Sequence, residues 1–233
     1  MGVTLLLQSA SMRDPDQRHF RLIVFDWDGT LSDSTAIIAE AIQDACRDLG
    51  EPVPDAATAR YVIGLGLDDA LRVVAPGLPA HRYGEMTAHY RRHYLAREDD
   101  IPLFAGADRM LADLDAAGHL LAVATGKSRA GLDRVLAQNA LATRFHATRC
   151  ADEGFPKPHP DMLLHLMERL DVAPAQTLMI GDTTHDLELA RNAGTAAVAV
   201  AYGAHGSEGL ARLAPLATVH SVEELSAWLA TNG

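Results

Sequence analysis

Residues 22–34 read LIVFDWDGTLSDS, an apolar run followed directly by a turn that is rich in carboxylates. Four consecutive apolar residues are typical of a strand whose two faces are both buried. Asp26 and Asp28 stand two positions apart where this strand ends, and Gly29 lets the chain turn sharply. Two like charges buried so close together need a cation or a shared proton, although Asp-Gly is also a common turn pair.

The same strand pattern returns along the chain and alternates with helical stretches. Further strands are predicted at 120–124, 177–180 and 196–201, with weaker candidates at 145–148 and 217–220. Helices are predicted at 107–117, 129–139, 160–170, 184–192 and 222–231. This alternation indicates βαβ units, so we expect an α/β fold: a doubly wound, Rossmann-like parallel sheet with helices on both faces. Such folds bind ligands at the carboxyl ends of their strands.

One segment departs from this alternation. No strand is predicted from residue 34 to residue 99, where apolar residues recur at helical spacing in the stretches 35–49, 55–63, 67–74 and 79–97. We therefore expect three parts, which are an N-terminal extension without chemistry (1–20), an α/β core (21–33 plus 100–233) and an inserted all-helical cap (34–99).

Composition and charge argue against several classes of protein. Hydrophobic residues make up 48% of the chain and charged residues 22%, which is incompatible with global disorder. The net charge of −11 disfavours nucleic-acid and anionic-membrane partners, and no apolar run reaches the ~18 residues of a membrane span. Cys46 and Cys150 form no CxxC motif, so a disulfide framework or a thiolate zinc site is not expected. We expect a cytoplasmic protein that is a monomer by default, with a homodimer left open.

Two further polar motifs follow predicted strands in the middle of the chain. Thr125 and Gly126 close one strand, where a hydroxyl and free backbone N–H groups can hold a phosphate. A turn residue at Thr125 and a helix cap at Ser128 would explain the same pattern. Lys157 stands between two prolines that fix its backbone, so its cation could neutralise a carboxylate and a phosphate oxygen, or it could be a solvated loop lysine.

A last motif, Gly181-Asp182-Thr183-Thr184-His185-Asp186, repeats the pattern of the first. Asp182 stands at the tip of a buried strand, as Asp26 does, and Asp186 faces the same way one helical turn later. Oxygen ligands from several strand tips suit Mg²⁺, whereas a simple helix cap with a surface His185 is the alternative. Because the carboxyl ends of parallel strands converge, we expect the four motifs to form one site.

These motifs, in this order, resemble the four motifs of the haloacid dehalogenase-like hydrolase superfamily. The resemblance covers about residues 21–200, and the helical insert lies where this superfamily has its smallest helical caps. Within the superfamily the chain is most similar to phosphoglycolate phosphatase-like enzymes, on residues 24–34 and on the stretch 102–106, which reads PLFAG.

The resemblance implies a Mg²⁺-dependent phosphatase that acts on a small-molecule phosphate monoester, phosphoglycolate or a similar compound. Asp26 would attack phosphorus to form an aspartyl-phosphate, and Asp28 would act as general acid and base. Thr125, Gly126 and Lys157 would hold the phosphate. The metal ligands would be Asp26, the backbone carbonyl of Asp28 and Asp182, with Asp186 acting directly or through water.

The helical insert carries two candidate substrate contacts. Gly64 and Gly66 lie in a turn that resembles the specificity loop of related caps, although the turn could simply end a helix. A cationic and aromatic run within residues 82–93 could face an anionic substrate or form a solvated helix face.

Other functions fit the sequence less well. A phosphosugar mutase of the same fold stays an open alternative. It would need a cap that binds the bisphosphate intermediate and keeps water out. A dehalogenase is disfavoured because it needs no acid at Asp28, and a phosphonatase because residues 34–99 contain no Lys for a Schiff base. A non-catalytic binding protein that kept the fold is the alternative from another class, and the four intact motifs argue against it.

Overall fold

The computed structural model describes residues 19–233, so most of the predicted N-terminal extension lies outside the described residues. Within this range, six strands form one sheet in the order β3-β2-β1-β4-β5-β6, and every neighbouring pair is parallel. The strands are β1 (Leu22–Phe25), β2 (Leu120–Thr125), β3 (Ala147–Cys150), β4 (Thr177–Gly181), β5 (Ala196–Val200) and β6 (Thr218–Val219). All six predicted strands are therefore present, including the two weaker candidates.

Helices cover both faces of this sheet. They are α5 (Ala107–Ala116), α6 (Arg129–Gln138), α7 (Asp161–Leu170), α8 (Thr184–Ala193), the short α9 (Ser207–Ala211) and α10 (Val222–Asn232). The side chains of β1 alternate between the two faces. Ile23 and Phe25 join the apolar cluster that contains α5, α6 and α10, and Leu22 and Val24 join the cluster that contains α7 and α8. The prediction of a doubly wound α/β sheet is confirmed.

The strand order places a crevice beside β1. From β1 the chain adds β2 and then β3 on one side, and it crosses to the other side to add β4, β5 and β6. The connections on the two sides of β1 therefore diverge above its carboxyl end, which is the topological switch point where open α/β sheets bind ligands. β1 and β4 are the strands that carry the first and last acidic motifs.

The stretch between β1 and α5 contains helices and no strand. It consists of α1 (Thr35–Leu49), α2 (Ala56–Tyr61), α3 (Leu67–Val74) and α4 (Tyr83–Leu95), with short 3₁₀ helices at Ala80–Arg82 and Glu98–Asp100. The predicted helix at 79–97 is thus divided into a 3₁₀ turn and α4. These helices bury an apolar cluster of their own, in which Ile42, Leu71 and Met86 are almost inaccessible to solvent. The domain boundaries at 34 and 99 stay predictions.

Two sequence expectations can be compared with the described residues. Cys46 and Cys150 are both buried and unpaired, as expected for a chain without a disulfide framework. Among residues 19–233, the helices lack the combination of length and apolar character needed to traverse a bilayer.

Candidate active site

Two buried aspartates stand at the switch point. Asp26 follows β1 and Asp182 follows β4, and the pairing of Phe25 with Ile180 brings the two strand ends side by side. The Asp26 N–H donates to the carbonyl oxygen of Ile180 at 2.9 Å, which extends the ladder by one residue. Asp26 is 1% exposed and Asp182 is fully buried. Parallel pairing therefore brings together two carboxylates that are 156 positions apart in the sequence.

A buried lysine bridges two carboxylates of this site. The Nζ atom of Lys157 lies 2.8 Å from Asp26 Oδ1 and 2.6 Å from Asp186 Oδ1. The lysine arrives from the loop between β3 and α7, and its side chain is inaccessible to solvent. The solvated-lysine interpretation is therefore wrong for Lys157. Its ammonium partly compensates a cluster of like charges that would otherwise strongly destabilise the fold.

Asp186 also caps a helix. Its Oδ2 accepts hydrogen bonds from the Thr183 N–H at 3.0 Å and from the Thr183 hydroxyl at 2.7 Å, at the N-terminus of α8. The capping interpretation of this motif is therefore correct, and the other carboxylate oxygen of Asp186 contacts Lys157. The role of Asp186 as a metal ligand stays a prediction. The cap holds the Asp186 side chain in place.

Asp182 is fixed by donors from two other loops. The Thr30 hydroxyl donates to its Oδ1 at 3.0 Å, and the Ala204 N–H donates to its Oδ2 at 2.7 Å. Gly29 passes directly over this carboxylate with a φ of +80°, and a Cβ at that position would overlap Asp182 Oδ2. The glycine of the first motif is therefore required both by backbone conformation and by the closeness of Asp182.

The environment of Asp26 differs from that of Asp182. Lys157 is close to Oδ1, but among residues 19–233 neither oxygen of Asp26 receives a well-aligned donor, although both are buried. Ligand oxygens of Asp26, Asp182 and Asp186 lie within 4.8 Å of one another. Three buried carboxylates that converge, one of which has no well-aligned donor among the described residues, suit a hard divalent cation such as Mg²⁺.

The same crowding shifts the acid–base behaviour of the cluster. Burial is the main cause that raises the pKa of Asp26 to about 7, with the Lys157 charge opposing it and the Asp186 charge adding to it. Burial, together with the charges of Asp26 and Asp186, raises the pKa of Asp182 well above its ordinary value. Burial alone would lower the pKa of Lys157, but the carboxylates of Asp186 and Asp26 outweigh it and raise that pKa. Without a cation, the folded chain thus favours protonation of these acids.

The second motif lies at the end of β2, two strands from β4. Thr125 is fully buried, and its Oγ1 accepts a hydrogen bond from the Lys127 N–H at 3.2 Å. Ser128 caps α6 by accepting from the Gly131 N–H at 3.3 Å, as the alternative interpretation predicted. Gly126 lies so close to the carbonyl oxygens of residues 64 and 65 that a Cβ would overlap them. The predicted turn at 63–67 therefore rests directly on the second motif.

Both glycines of that turn contact the core. The backbone at Gly64 has a φ of +93° and a Cβ there would reach Thr183 at 3.0 Å, whereas at Gly66 it would meet Pro156 at 3.4 Å. The turn thus touches the loops of three motifs at once. Whether it also contacts a substrate stays a prediction.

The groups that surround Asp28 were not predicted from the sequence. The Ser34 hydroxyl donates to Asp28 Oδ1 at 2.7 Å, and Lys127 Nζ lies 3.2 Å from the same oxygen. Lys127 also donates to the Tyr94 hydroxyl of α4 at 2.8 Å and lies over the Tyr94 ring. A signal existed for two of these residues, because Ser34 ends the opening motif and Lys127 directly follows Gly126. Tyr94 gave no signal, since only folding brings α4 to the strand ends.

The structure shows where His185 and the cationic run of α4 lie. His185 is not at the surface, because it is 6% exposed and its Nε2 lies 2.9 Å from the carbonyl oxygen of Tyr61. Within the cationic run of α4, the side chains of His89, Arg92 and His93 converge on Asp48. The solvated-face interpretation therefore accounts for these three side chains, which face α1 rather than the strand ends.

Comparison with known proteins agrees with this architecture. The sequence model of the family described as haloacid dehalogenase-like hydrolase matches residues 23–200. A probable phosphatase, IndB, from Dickeya dadantii is 39% identical over 189 residues, covering 78% of this chain and 81% of that protein. A phosphoglycolate phosphatase from Vibrio vulnificus is 32% identical over 207 residues, covering 80% of this chain and 86% of the other.

A solved structure shows the same fold. The crystal structure of a predicted phosphatase from Clostridium acetobutylicum superposes with a TM-score of 0.80 at 24% identity, covering 91% of this chain and 98% of the other. The family model and the curated relatives define a hydrolase, and its fold is the doubly wound α/β sheet described above. The chain belongs to the haloacid dehalogenase-like hydrolase family, and its sequence relatives place it beside the phosphoglycolate phosphatases. The family predicted from the four motifs is confirmed.

Proposed function

We propose that this protein is a Mg²⁺-dependent phosphatase that hydrolyses a small-molecule phosphate monoester through an aspartyl-phosphate on Asp26. The observation that carries the proposal is the state of the Asp26 carboxylate. Its two oxygens are buried at the switch point, beside Lys157 and two further aspartates, and receive no well-aligned donor from residues 19–233. The names of two sequence relatives, the probable phosphatase IndB and the phosphoglycolate phosphatase of Vibrio vulnificus, support a phosphate monoester as the substrate, and phosphoglycolate is one candidate.

Asp26 is the nucleophile in this proposal. Among the described residues no well-aligned donor occupies the lone pairs of Asp26, which stay available for attack on phosphorus. Covalent catalysis divides a difficult hydrolysis into two easier steps. Lys157 holds the carboxylate in place by its contact at 2.8 Å with Oδ1. The same ammonium, already near Asp186, offsets part of the charge that a phosphate would bring into the site.

Asp28 is the general acid and base. Ser34 and Lys127 both bind Oδ1, so the carboxyl group is fixed in orientation. No described residue donates a hydrogen bond to its Oδ2, and Asp28 lies on the wall of the cavity between the helical segment and the core. From there it can pass a proton to the leaving alcohol and later take one from the attacking water.

Thr125, Gly126 and Lys157 form the phosphate-binding group. The Thr125 hydroxyl oxygen already accepts from the Lys127 N–H, which leaves the hydroxyl hydrogen to donate to a phosphate oxygen. Residues 34–99 act as a cap in this proposal, and the turn that contains Gly64 and Gly66 keeps water out by resting on Gly126.

The residues that would hold Mg²⁺ are Asp26, the backbone carbonyl of Asp28, Asp182 and Asp186. When bound, the ion would offset the repulsion between a phosphate dianion and an acidic site. Thr30 and Ala204 orient Asp182, and Thr183 orients Asp186, so these two side chains are held in position by the protein itself.

Phosphate release from a panel of esters tests the proposal. The panel contains phosphoglycolate, hexose phosphates, nucleotides and pyrophosphate, each with Mg²⁺ and then with excess EDTA. We expect one or more esters to be hydrolysed with Mg²⁺, no release in EDTA, and recovery when Mg²⁺ returns. Asp26→Asn should abolish turnover, whereas Asp108→Asn, at the start of α5, should not. Release that continues in EDTA would refute the metal assignment, and turnover by Asp26→Asn would refute the nucleophile.

A further inference from the structure

The cavity between the helical segment and the core has a volume of about 770 Å³. Asp28 is on its wall, together with Gly126 and Lys127, whereas Asp26, Asp182 and Asp186 are not among its lining residues. A phosphoryl group transferred to Asp26 would lie at one end of this space. The leaving alcohol, which faces the proposed acid Asp28, would extend into the cavity. The size and lining of the cavity therefore indicate the chemistry of the leaving alcohol rather than that of the phosphate.

Carboxylates outnumber cations on the walls of this cavity. Its charged lining residues are Asp28, Asp68, Asp69, Glu98 and Asp152 on the acidic side and Arg91, Lys127 and Arg134 on the basic side. The protein as a whole carries a formal charge of −11, so its long-range field has the same sign. An anionic alcohol would enter this space against a net negative potential.

Two of the three cations are already engaged. Arg134 makes a bidentate contact with the buried Glu98, at 2.6 Å and 3.2 Å. Lys127 is shared between Asp28 and the Tyr94 hydroxyl. A carboxylate on the substrate would have to share the Lys127 ammonium with Asp28, the proposed acid, and with Tyr94. Arg91 has no acidic partner among residues 19–233, and it is exposed at the rim.

The remaining walls are largely apolar or aromatic. The apolar lining residues on the helical segment are Ile38, Ile42, Val62, Ile63, Leu65, Leu67, Ala70 and Leu95. Tyr90 and Tyr94 add two stacked rings whose centroids are 5.8 Å apart. Volumes between about 300 and 1,000 Å³ with such walls are typical of sites that enclose a drug-sized ligand. A two-carbon acid would leave most of this space to water and would place its charge against apolar side chains.

We propose that the alcohol released by this enzyme is uncharged and ring-sized, rather than a short carboxylic acid such as glycolate. The inference rests on the proposed phosphatase function, and it names the substrate class of the same site. Burial of the ring against the apolar walls supplies binding energy, and the absence of a second negative charge avoids repulsion from the carboxylates.

Four synthetic esters test the inference in two matched pairs. Benzyl phosphate and 4-carboxybenzyl phosphate differ by one carboxylate at nearly constant leaving-group reactivity, and 2-hydroxyethyl phosphate and phosphoglycolate form the small pair. We expect kcat/KM with Mg²⁺ to be at least tenfold higher for the neutral ester of each pair, and at least tenfold higher for benzyl than for 2-hydroxyethyl phosphate. Equal or faster hydrolysis of the carboxylate esters, or of the small esters, would overturn the inference while leaving the phosphatase function intact. Release from none of the four, together with none in the wider panel, would overturn the function itself.

Two variants test whether the charges on the cavity walls cause the preference for neutral esters. Asp68 and Asp69 are exposed in the first turn of α3 and form no ion pair within the described residues. The double substitution Asp68→Asn/Asp69→Asn should raise the ratio of kcat/KM for 4-carboxybenzyl over benzyl phosphate by about threefold or more. Asp108→Asn removes a carboxylate from the same position of a helix that does not line the cavity, and it should keep the wild-type ratio. An unchanged ratio in the double variant would remove the electrostatic basis of the inference.

Discussion

Removal of the Asp26 charge should stabilise the metal-free protein. In the absence of a cation, the ionised carboxylate is buried without well-aligned donors beside two other aspartates, and Lys157 compensates it only in part. Asp26→Asn keeps nearly the same shape without the charge. The substitution that should abolish turnover is therefore expected to raise the free energy of unfolding, which is a common trade-off at catalytic sites.

The size of the effect follows from the pKa. Asp26 shifts from 3.8 to about 7, so the folded state binds protons more readily than the unfolded state between these values. The contribution of Asp26 to the free energy of unfolding is fully present below pH 3.8 and is lost as the pH rises through 7. Linkage gives a loss of about 4 kcal/mol at pH 8 and about 2 kcal/mol at pH 5.5. At about 2–4 °C per kcal/mol, Asp26→Asn should raise the melting temperature at pH 8 by roughly 8–16 °C.

Urea denaturation in EDTA at pH 8 and pH 5.5 measures this effect directly. We expect Asp26→Asn to exceed the wild type at both pH values and the difference to shrink by about half at pH 5.5. Asp108→Asn should match the wild type throughout. Saturating Mg²⁺ should stabilise the wild type more than the variant and narrow the gap, because the ion binds only the folded site. A variant no more stable than the wild type at pH 8 in EDTA would refute the reasoning.

Three further predictions concern residues around the site. Lys157→Met should lower the free energy of unfolding by about 3–5 kcal/mol, because two buried carboxylates lose their cation; a loss below about 1 kcal/mol in urea denaturation would contradict this. Gly126→Ala should lower kcat/KM at least tenfold by displacing the turn that contains Gly64. Gly209→Ala, where there is room for a methyl group, should retain wild-type kinetics. Equal kinetics in the two variants would show that the contact between Gly126 and this turn has no role in activity. Burial lowers the pKa of His205 below 6.5, so its contribution to stability is full above about pH 6.5 and is lost as pH falls through the folded-state pKa. His205→Gln should therefore reduce the decline in melting temperature between pH 7 and pH 5, and an unaltered decline would count against that role.

Much of the core could be predicted because its signals are local. A strand buried on both faces needs a continuous apolar run, and each of β1, β2, β4 and β5 shows one. The short edge strand β6 pairs through only two residues and gave only a weak signal. Each acidic motif follows its strand directly, so the convergence of Asp26 and Asp182 follows from parallel pairing alone.

The environment of each catalytic candidate could not be predicted in the same way. Ser34 and Lys127 were visible in the motifs, but their common contact with Asp28 depends on loops that only tertiary packing brings together. Lys157 could equally have been a solvated loop residue, and it became a buried bridge because its loop turns inward between two carboxylates.

The sequence by itself determined the order of strands and helices, the helical insert and the residue types at the strand tips, because apolar periodicity and turn chemistry act over a few residues. Tertiary structure alone decided which oxygens lack donors, which cations are already paired and what space remains for a leaving alcohol. These properties depend on distances between segments more than a hundred residues apart, such as Tyr61 against His205 or Thr30 against Asp182. Burial then decides how far the pKa values of these groups shift, since the pKa of an ionisable group is strongly perturbed only where folding has removed the water around it.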